Sequence, residues 1–231
     1  MPGKMSKGTC NLCGGTFSKN TMTRHLSSCP KITDVPQAAP SGRSTKSVKG
    51  FHLLVEGRYA TEYWMHLRVP AGMMLNKLDD FLRATWLECC GHLSAFRIDG
   101  RSYSVSPMGE FNDKSMKVAL GDILQPELNF YHEYDFGSTT ELALKVLAEE
   151  ENKAPGKGIK VLARNTPPEF SCMNCQSPAT QLCVECSWAG EGAGEGEGLL
   201  CEKCTGEHEC GEETFLPLVN SPRVGICGYE G

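Results

Sequence analysis

Apolar positions between residues 51 and 165 recur with two different periods. FHLLVEG and EYWMHLRVP read as strands, and in the second Tyr63, Met65, Leu67 and Val69 alternate as in a strand with one buried face. From Leu75 the period lengthens. Leu75, Leu78, Phe81, Leu82, Thr85, Trp86 and Cys89 recur at helical spacing, with Lys77, Asp79, Asp80 and Arg83 on the remaining surface, which predicts an amphipathic helix to about residue 90. Gly91 suits the C-cap of that helix, and LSAFRIDGRSYSV reads as a hairpin turned at Asp99-Gly100. NFYHEYDF, TELALKVLAEE and GIKVLARN supply further strands. Leu, Ala and Glu would also suit a helix over 140–150, but the flanking NFYHEYDFGST with Gly137 favours a hairpin. Two strands, a helix and then more strands predict an α+β domain, a mixed β-sheet with one main helix packed on it.

The segments on either side have no such periodicity. Residues 30–49 are rich in Pro, Ser, Thr and Lys and read as a flexible linker. The expected organisation is a finger over 1–30, a linker over 31–49, the α+β domain over 50–165 and a cysteine-rich module over 166–231. Charge divides the chain in the same way. Residues 1–50 carry eight Lys/Arg against one acid, whereas residues 166–231 carry two against eleven. No stretch approaches the ~20 apolar residues of a membrane span, and MPGKMSKGTCNLC lacks the apolar core of a signal peptide. A cytoplasmic location with no membrane partner is expected. In that reducing compartment clustered cysteines read as metal ligands rather than disulfides.

Ten of the thirteen cysteines and two of the six histidines stand at zinc-ligand spacings. Near the start are Cys10, Cys13, His25 and Cys29. Near the end are Cys172/Cys175, Cys183/Cys186 and Cys201/Cys204, followed by His208 and Cys210. Two residues between cysteines let both thiolates reach one ion, and three between His25 and Cys29 put both on one helical face. Twelve ligands make three closed sites, hence three zinc ions. A closed site has no position for substrate, so the metal reads as structural. Cys227 is the alternative to Cys210 as the last ligand. Cys89, Cys90 and His92 form a compact CCxH, read as a buried Cys89 behind Trp86. His132 alternates with Glu133 and Asp135 along a strand, which argues against a triad. The insert WAGEGAGEGEGL reads as a mobile acidic loop.

Within the finger, Phe17 and Met22 are the apolar positions that a ββα unit packs on its zinc helix, and Ser18 is placed to cap that helix. Counted as in a DNA-reading finger, Ser18, Thr21 and Arg24 face bases, and Lys19 adds a basic contact, making Lys19, Thr21 and Arg24 the candidate nucleic-acid residues. The CxxC-x11-HLxxC pattern is also similar to the small ubiquitin-binding fingers of DNA-repair proteins, which implies a protein partner.

The run LDDFLRATWLECCGHLSAFRIDGRSY, followed by NFYHEYDFGSTTEL, resembles the Ri-plasmid third-open-reading-frame-like family, whose members are also labelled insertion-element passenger, resolvase-like proteins. The resemblance covers residues 51–165 and implies an α+β, β-grasp-like fold in a mobile-element setting. That family continues after DFG with an Asp and then a Trp, where this chain has Ser138 and Thr140. No catalytic serine motif accompanies it. The terminal CxxC pairs resemble B-box, RING and MYND cross-brace modules. That likeness implies one zinc on Cys172, Cys175, Cys201 and Cys204 and a second on Cys183, Cys186, His208 and Cys210; a sequential pairing is the alternative. HExxH, Walker, GxGxxG and GxSxG motifs are absent from the sequence. The expected function is zinc-dependent recognition, contacting nucleic acid or regulatory. The alternatives are a protein-interaction adaptor without nucleic acid and an enzyme with an unrecognised site in the central domain. DNA or a small protein is the expected partner of the finger, and a basic protein surface that of the acidic module.

Overall fold

The computed structural model describes residues 6–32, 49–107, 113–151, 158–188 and 196–231. Most of the expected linker and most of the Gly/Glu insert lie outside these residues. Two compact units emerge, one of residues up to Ala84 together with His92–Thr166, the other of Thr85–Gly91 together with Pro167–Gly231.

The first unit is mostly sheet. Its strands are β1 (Lys7–Cys10), β2 (Thr16–Ser18), β3 (Lys49–Gly57), β4 (Trp64–Pro70), β5 (Ser94–Ile98), β6 (Arg101–Ser104), β7 (Asp113–Ser115), β8 (Asn129–Tyr134), β9 (Thr140–Glu151) and β10 (Lys160–Asn165). They form one mixed sheet in the order β2-β1-β10-β4-β3-β9-β8-β5-β6-β7, with β6 and β7 parallel and the other pairs antiparallel. Helix α1 (Lys19–Ser28) follows β2, and α2 (Leu75–Leu82) follows β4. The β5–β6 turn is where Asp99-Gly100 requires it: φ is 49° at Asp99 and 71° at Gly100, a pair of left-handed residues matching the twist of a two-residue hairpin. Residues 140–151 are a strand, paired with β8 from Tyr134↔Thr140 to Asn129↔Lys145. Leu142, Leu144 and Val146 alternate inward, so burial overrides the helical propensity of Leu, Ala and Glu.

Three expectations change in the packed structure. The first is the exposure of β4, which is buried along its whole length rather than on one face. Its second face carries Trp64, His66 and Arg68, each with a partner: Ser6 Oγ for the indole N–H, His52 for His66, and Glu150 for the Arg68 guanidinium through two hydrogen bonds. The second is the length of α2. Its α-helical part ends at Leu82 and passes into a π-helical turn over Arg83–Leu87, so Cys89 and Cys90 lie beyond the helix. The third is Asp79, expected on the solvent surface but only 1% exposed. It accepts from the ring of His132 at 2.7 Å, which brings its charge inside with a partner.

The segment expected to be a finger is set into the sheet edge. β1 pairs antiparallel with β10 from Gly8↔Asn165 to Cys10↔Ala163, and Lys7 O accepts from Thr166 N at 2.9 Å. A Cβ on Gly8 would come within 2.4 Å of Arg164 O and 2.5 Å of the Trp64 ring, so only glycine allows this approach. Beneath the strand, Cys10, Met22, Leu26, Cys29, Trp64, Leu162 and Ala163 form one buried cluster.

In the second unit β11 (Gln181–Cys183) lies between β12 (Leu199–Leu200) and β13 (Phe215–Pro217), with short helices α3 (Val184–Trp188) and α4 (Glu202–Thr205). Its buried cluster consists of Cys172, Cys183, Leu200, Cys201 and Cys204. Four of those five are thiols, so this cluster has few apolar side chains to hold it together.

Candidate metal centres

The four donors expected in the finger come from three local structures. Cys10 ends β1, and Cys13 follows in a knuckle where Gly14 N donates to Cys10 O at 2.8 Å with Gly14 at φ 77°. His25 lies in α1 and Cys29 immediately follows it. Ser18 caps α1, its Oγ accepting from Thr21 N, and the Phe17 ring stacks on His25 at 4.0 Å between centroids and fixes the imidazole. The four donor atoms lie within 4.8 Å of one another, with Cys13 Sγ 3.3 Å from His25 Nε2. Burial pushes the Cys10 thiol up, while the Gly15 N–H, 3.4 Å from Cys13 Sγ, holds the Cys13 thiol down.

In the second unit the ligand pairs interleave. Cys172, Cys175, Cys201 and Cys204 form one group, and Cys183, Cys186, His208 and Cys210 another. Cys175 Sγ is 3.5 Å from Cys201 Sγ; Cys186 Sγ is 3.9 Å from Cys210 Sγ and 3.3 Å from His208 Nε2. Edges of a tetrahedral zinc site with Zn–S near 2.3 Å are about 3.7 Å, so the three quartets fit Zn²⁺ in size and in donor type. Burial works against the Cys172 thiolate, but N–H groups of Cys201, Cys175 and Asn174 outweigh it and bring this thiol down to about 6. Cys183 is likewise brought to about 6, burial being outweighed by the Thr214 hydroxyl and the Cys186 N–H. Cys204 is pushed up to about 12, first by Cys175, and Cys210 to about 12, first by Cys183. Within each quartet some thiols are thus held down and others pushed up, a conflict that a bound dication removes.

Cys227 is not beside His208. It gathers instead with Cys89 and Cys90, in a fourth group. Burial of Cys89 behind Trp86 does not describe this arrangement, since Cys89 is only half-buried and Cys90 is exposed. None of the thirteen cysteines is in a disulfide. The adjacent pair at 89–90 was the sequence signal for this group; its third thiol, more than a hundred residues on, had none.

The candidate nucleic-acid residues all lie on α1 but differ in availability. Lys19 Nζ is 2.5 Å from Glu56 Oε2 and donates to Thr61 O at 3.2 Å. The Thr21 hydroxyl is engaged with Ser18, 2.8 Å from its Oγ and 3.0 Å from its carbonyl oxygen. Arg24 is exposed. His132 on β8 is fully buried against Asp79, and Asp135 (φ 64°), just past the strand, accepts from Gly137 N and Ser138 N, which closes the turn into β9. Both have structural duties. No helix is long and apolar enough to cross a membrane among the described residues.

No curated protein matches the chain. Among solved structures, the crystal structure of a protein of unknown function, MM3350 from Methanosarcina mazei Go1, is similar over 53% of this chain and 72% of its own, with 20% identity and a TM-score of 0.46. A family model described as plasmid pRiA4b ORF-3-like protein matches residues 54–171, from β3 through the sheet to the start of the second unit. That match spans half of the sequence, and the chain belongs to the plasmid pRiA4b ORF-3-like protein family.

Proposed function

We propose that this is a zinc-stabilised recognition protein which contacts a protein partner through the outer face of α1. The observation that carries this reading is the ion pair of Lys19 with Glu56. Base readout needs several side chains free to enter a groove, and of Lys19, Thr21 and Arg24 only Arg24 extends an exposed charged donor. Pairing of β1 with β10 supports the same reading, because a helix fixed to a ten-stranded sheet presents a rigid surface. In this account zinc fills the finger and the two interleaved quartets, the central sheet with α2 is a β-grasp-like scaffold, the protein works in the cytoplasm, and the protein performs no chemistry. The acidic second unit is suited to a basic protein surface.

Nucleic acid is the second reading, favoured by eight Lys/Arg against one acid in residues 1–50. The test uses the full chain, since the finger shares its core with Trp64 and Leu162. Labelled duplex DNA is titrated at about 50 and 200 mM salt, a range over which phosphate contacts weaken by orders of magnitude. In parallel, isotope-labelled ubiquitin is titrated as the protein probe. The expected result is shift changes in ubiquitin that Arg24→Ala reduces, with no salt-steep DNA binding. DNA affinity that falls steeply with salt and is weakened by Arg24→Ala would replace this reading with the second one.

A further inference from the structure

Beyond the three quartets, we infer that Cys89, Cys90 and Cys227 form a further zinc site, a three-thiolate centre within the second unit. Their sulfurs lie within 4.8 Å of one another. Consecutive cysteines on a regular helix point in different directions, but here the π-helical turn over Arg83–Leu87 ends the helix first. Cys89 and Cys90 then lie in a bend, followed by Gly91 at φ 72°. Both sulfurs of an adjacent pair can therefore face one point.

The third thiol arrives on a turn shaped for it. Cys227 has φ 51°, a left-handed conformation that costs a non-glycine residue about 1 kcal/mol, and Gly225 (φ 77°) and Gly228 (φ 64°) flank it. Ile226 N donates to Arg223 O at 3.1 Å and Tyr229 N to Ile226 O at 3.0 Å, so successive tight turns hold the segment. This turn is fastened to the cysteine pair. Ser221 Oγ donates to Trp86 O at 2.6 Å, and the fully buried Arg223 guanidinium donates to Cys89 Sγ at 3.5 Å. A buried cation beside a sulfur offsets the negative charge that three thiolates and one Zn²⁺ leave behind.

Three soft sulfurs select Zn²⁺ over hard cations. Cys90 and Cys227 are exposed, which sets this centre apart from the finger, where Cys10 and Cys29 are buried. It would tie Thr85–Gly91 to the last turn of the chain, giving the second unit a staple in addition to its two quartets.

The experiment measures zinc per full-length chain by elemental analysis, in the wild type and in Cys90→Ser and Cys227→Ser. Each variant is expected to lose one equivalent, and the difference stands whatever the finger binds and however full the other sites are. A second readout covers a variant that fails to fold. Zinc-loaded wild type is treated with iodoacetamide and peptide-mapped, and the exposed Cys90 and Cys227 are expected to be protected. Unchanged zinc content in both variants, alkylation of Cys90 and Cys227 at the rate of exposed thiols, or a disulfide joining Cys227 to Cys89 or Cys90 would overturn the inference.

Discussion

Nε2 of His132 on β8 lies 2.7 Å from Oδ1 of Asp79 on α2, and both side chains are withdrawn from solvent. The pair fixes the helix on the sheet at one register, with Arg83 3.8 Å from the other carboxylate oxygen and stacked on Tyr134 at 5.3 Å. Removing one partner of a buried hydrogen-bonded pair leaves the other unsatisfied. Asp79→Ala is expected to destabilise the first unit by about 1–3 kcal/mol, and the isosteric Asp79→Asn by less. Urea unfolding followed by tryptophan fluorescence checks the order; equal stability of Asp79→Ala and wild type would mean that the pair holds nothing.

A second buried pair makes stability depend on pH. His52 and His66 lie 3.0 Å apart, and burial lowers His52 to about 4 and His66 to about 3. In the unfolded chain both titrate near 6.5. The unfolded state thus binds more protons between those values, so stability is complete above about pH 6.5 and falls as pH drops towards 4. The slope is at most about 1.4 kcal/mol per pH unit for each histidine. Thermal midpoints from pH 8 to pH 4.5 are expected to fall in that window, and replacing both histidines by apolar residues of similar size is expected to flatten the profile.

Trp64 joins the finger to the sheet, packing with Cys10, Met22, Leu26 and Leu162 while its indole N–H donates to Ser6 Oγ at 2.7 Å. Trp64→Ala is expected to cost about 3–5 kcal/mol. Gly8→Ala acts on the same seam through the clash of its Cβ with Arg164 O. Faster amide exchange along β1 and β10 in Gly8→Ala, with β8 and β9 unchanged, is the expected signature.

Much of this architecture was legible because it is local. The Asp99-Gly100 hairpin, the Ser18 cap and the cysteine-pair spacings each depend on neighbours a few residues away. What the pattern hid was long-range. Asp79 reads as a surface residue until His132, 53 residues on, comes to meet it. The second face of β4 looks polar because His66 and Arg68 find their partners only when β3 pairs with β4 and β9 pairs with β3. The Lys19–Glu56 ion pair, which reduces the basic character of α1, spans 37 positions and the whole of the expected linker. Composition could show that the head is basic, but not which of its charges the fold would consume.

Metal removal should separate the two units. The core of the second is made largely of ligand thiols, whereas the first retains an apolar sheet core without metal. Each structural zinc is worth on the order of 10 kcal/mol. A strong chelator is expected to unfold residues 167–231 and loosen residues 6–32, leaving amide protection in β3, β8 and β9. Uniform protection before and after chelation would show that zinc is not structural here.

The most direct measurement of the central claim, that zinc holds this chain in closed thiolate and imidazole sites, is X-ray absorption at the zinc edge on the full-length protein. The account predicts four-coordinate zinc dominated by sulfur near 2.3 Å, with a smaller shell of nitrogen near 2.0 Å. A first shell made mainly of oxygen, or no zinc retained after purification without chelator, would contradict it.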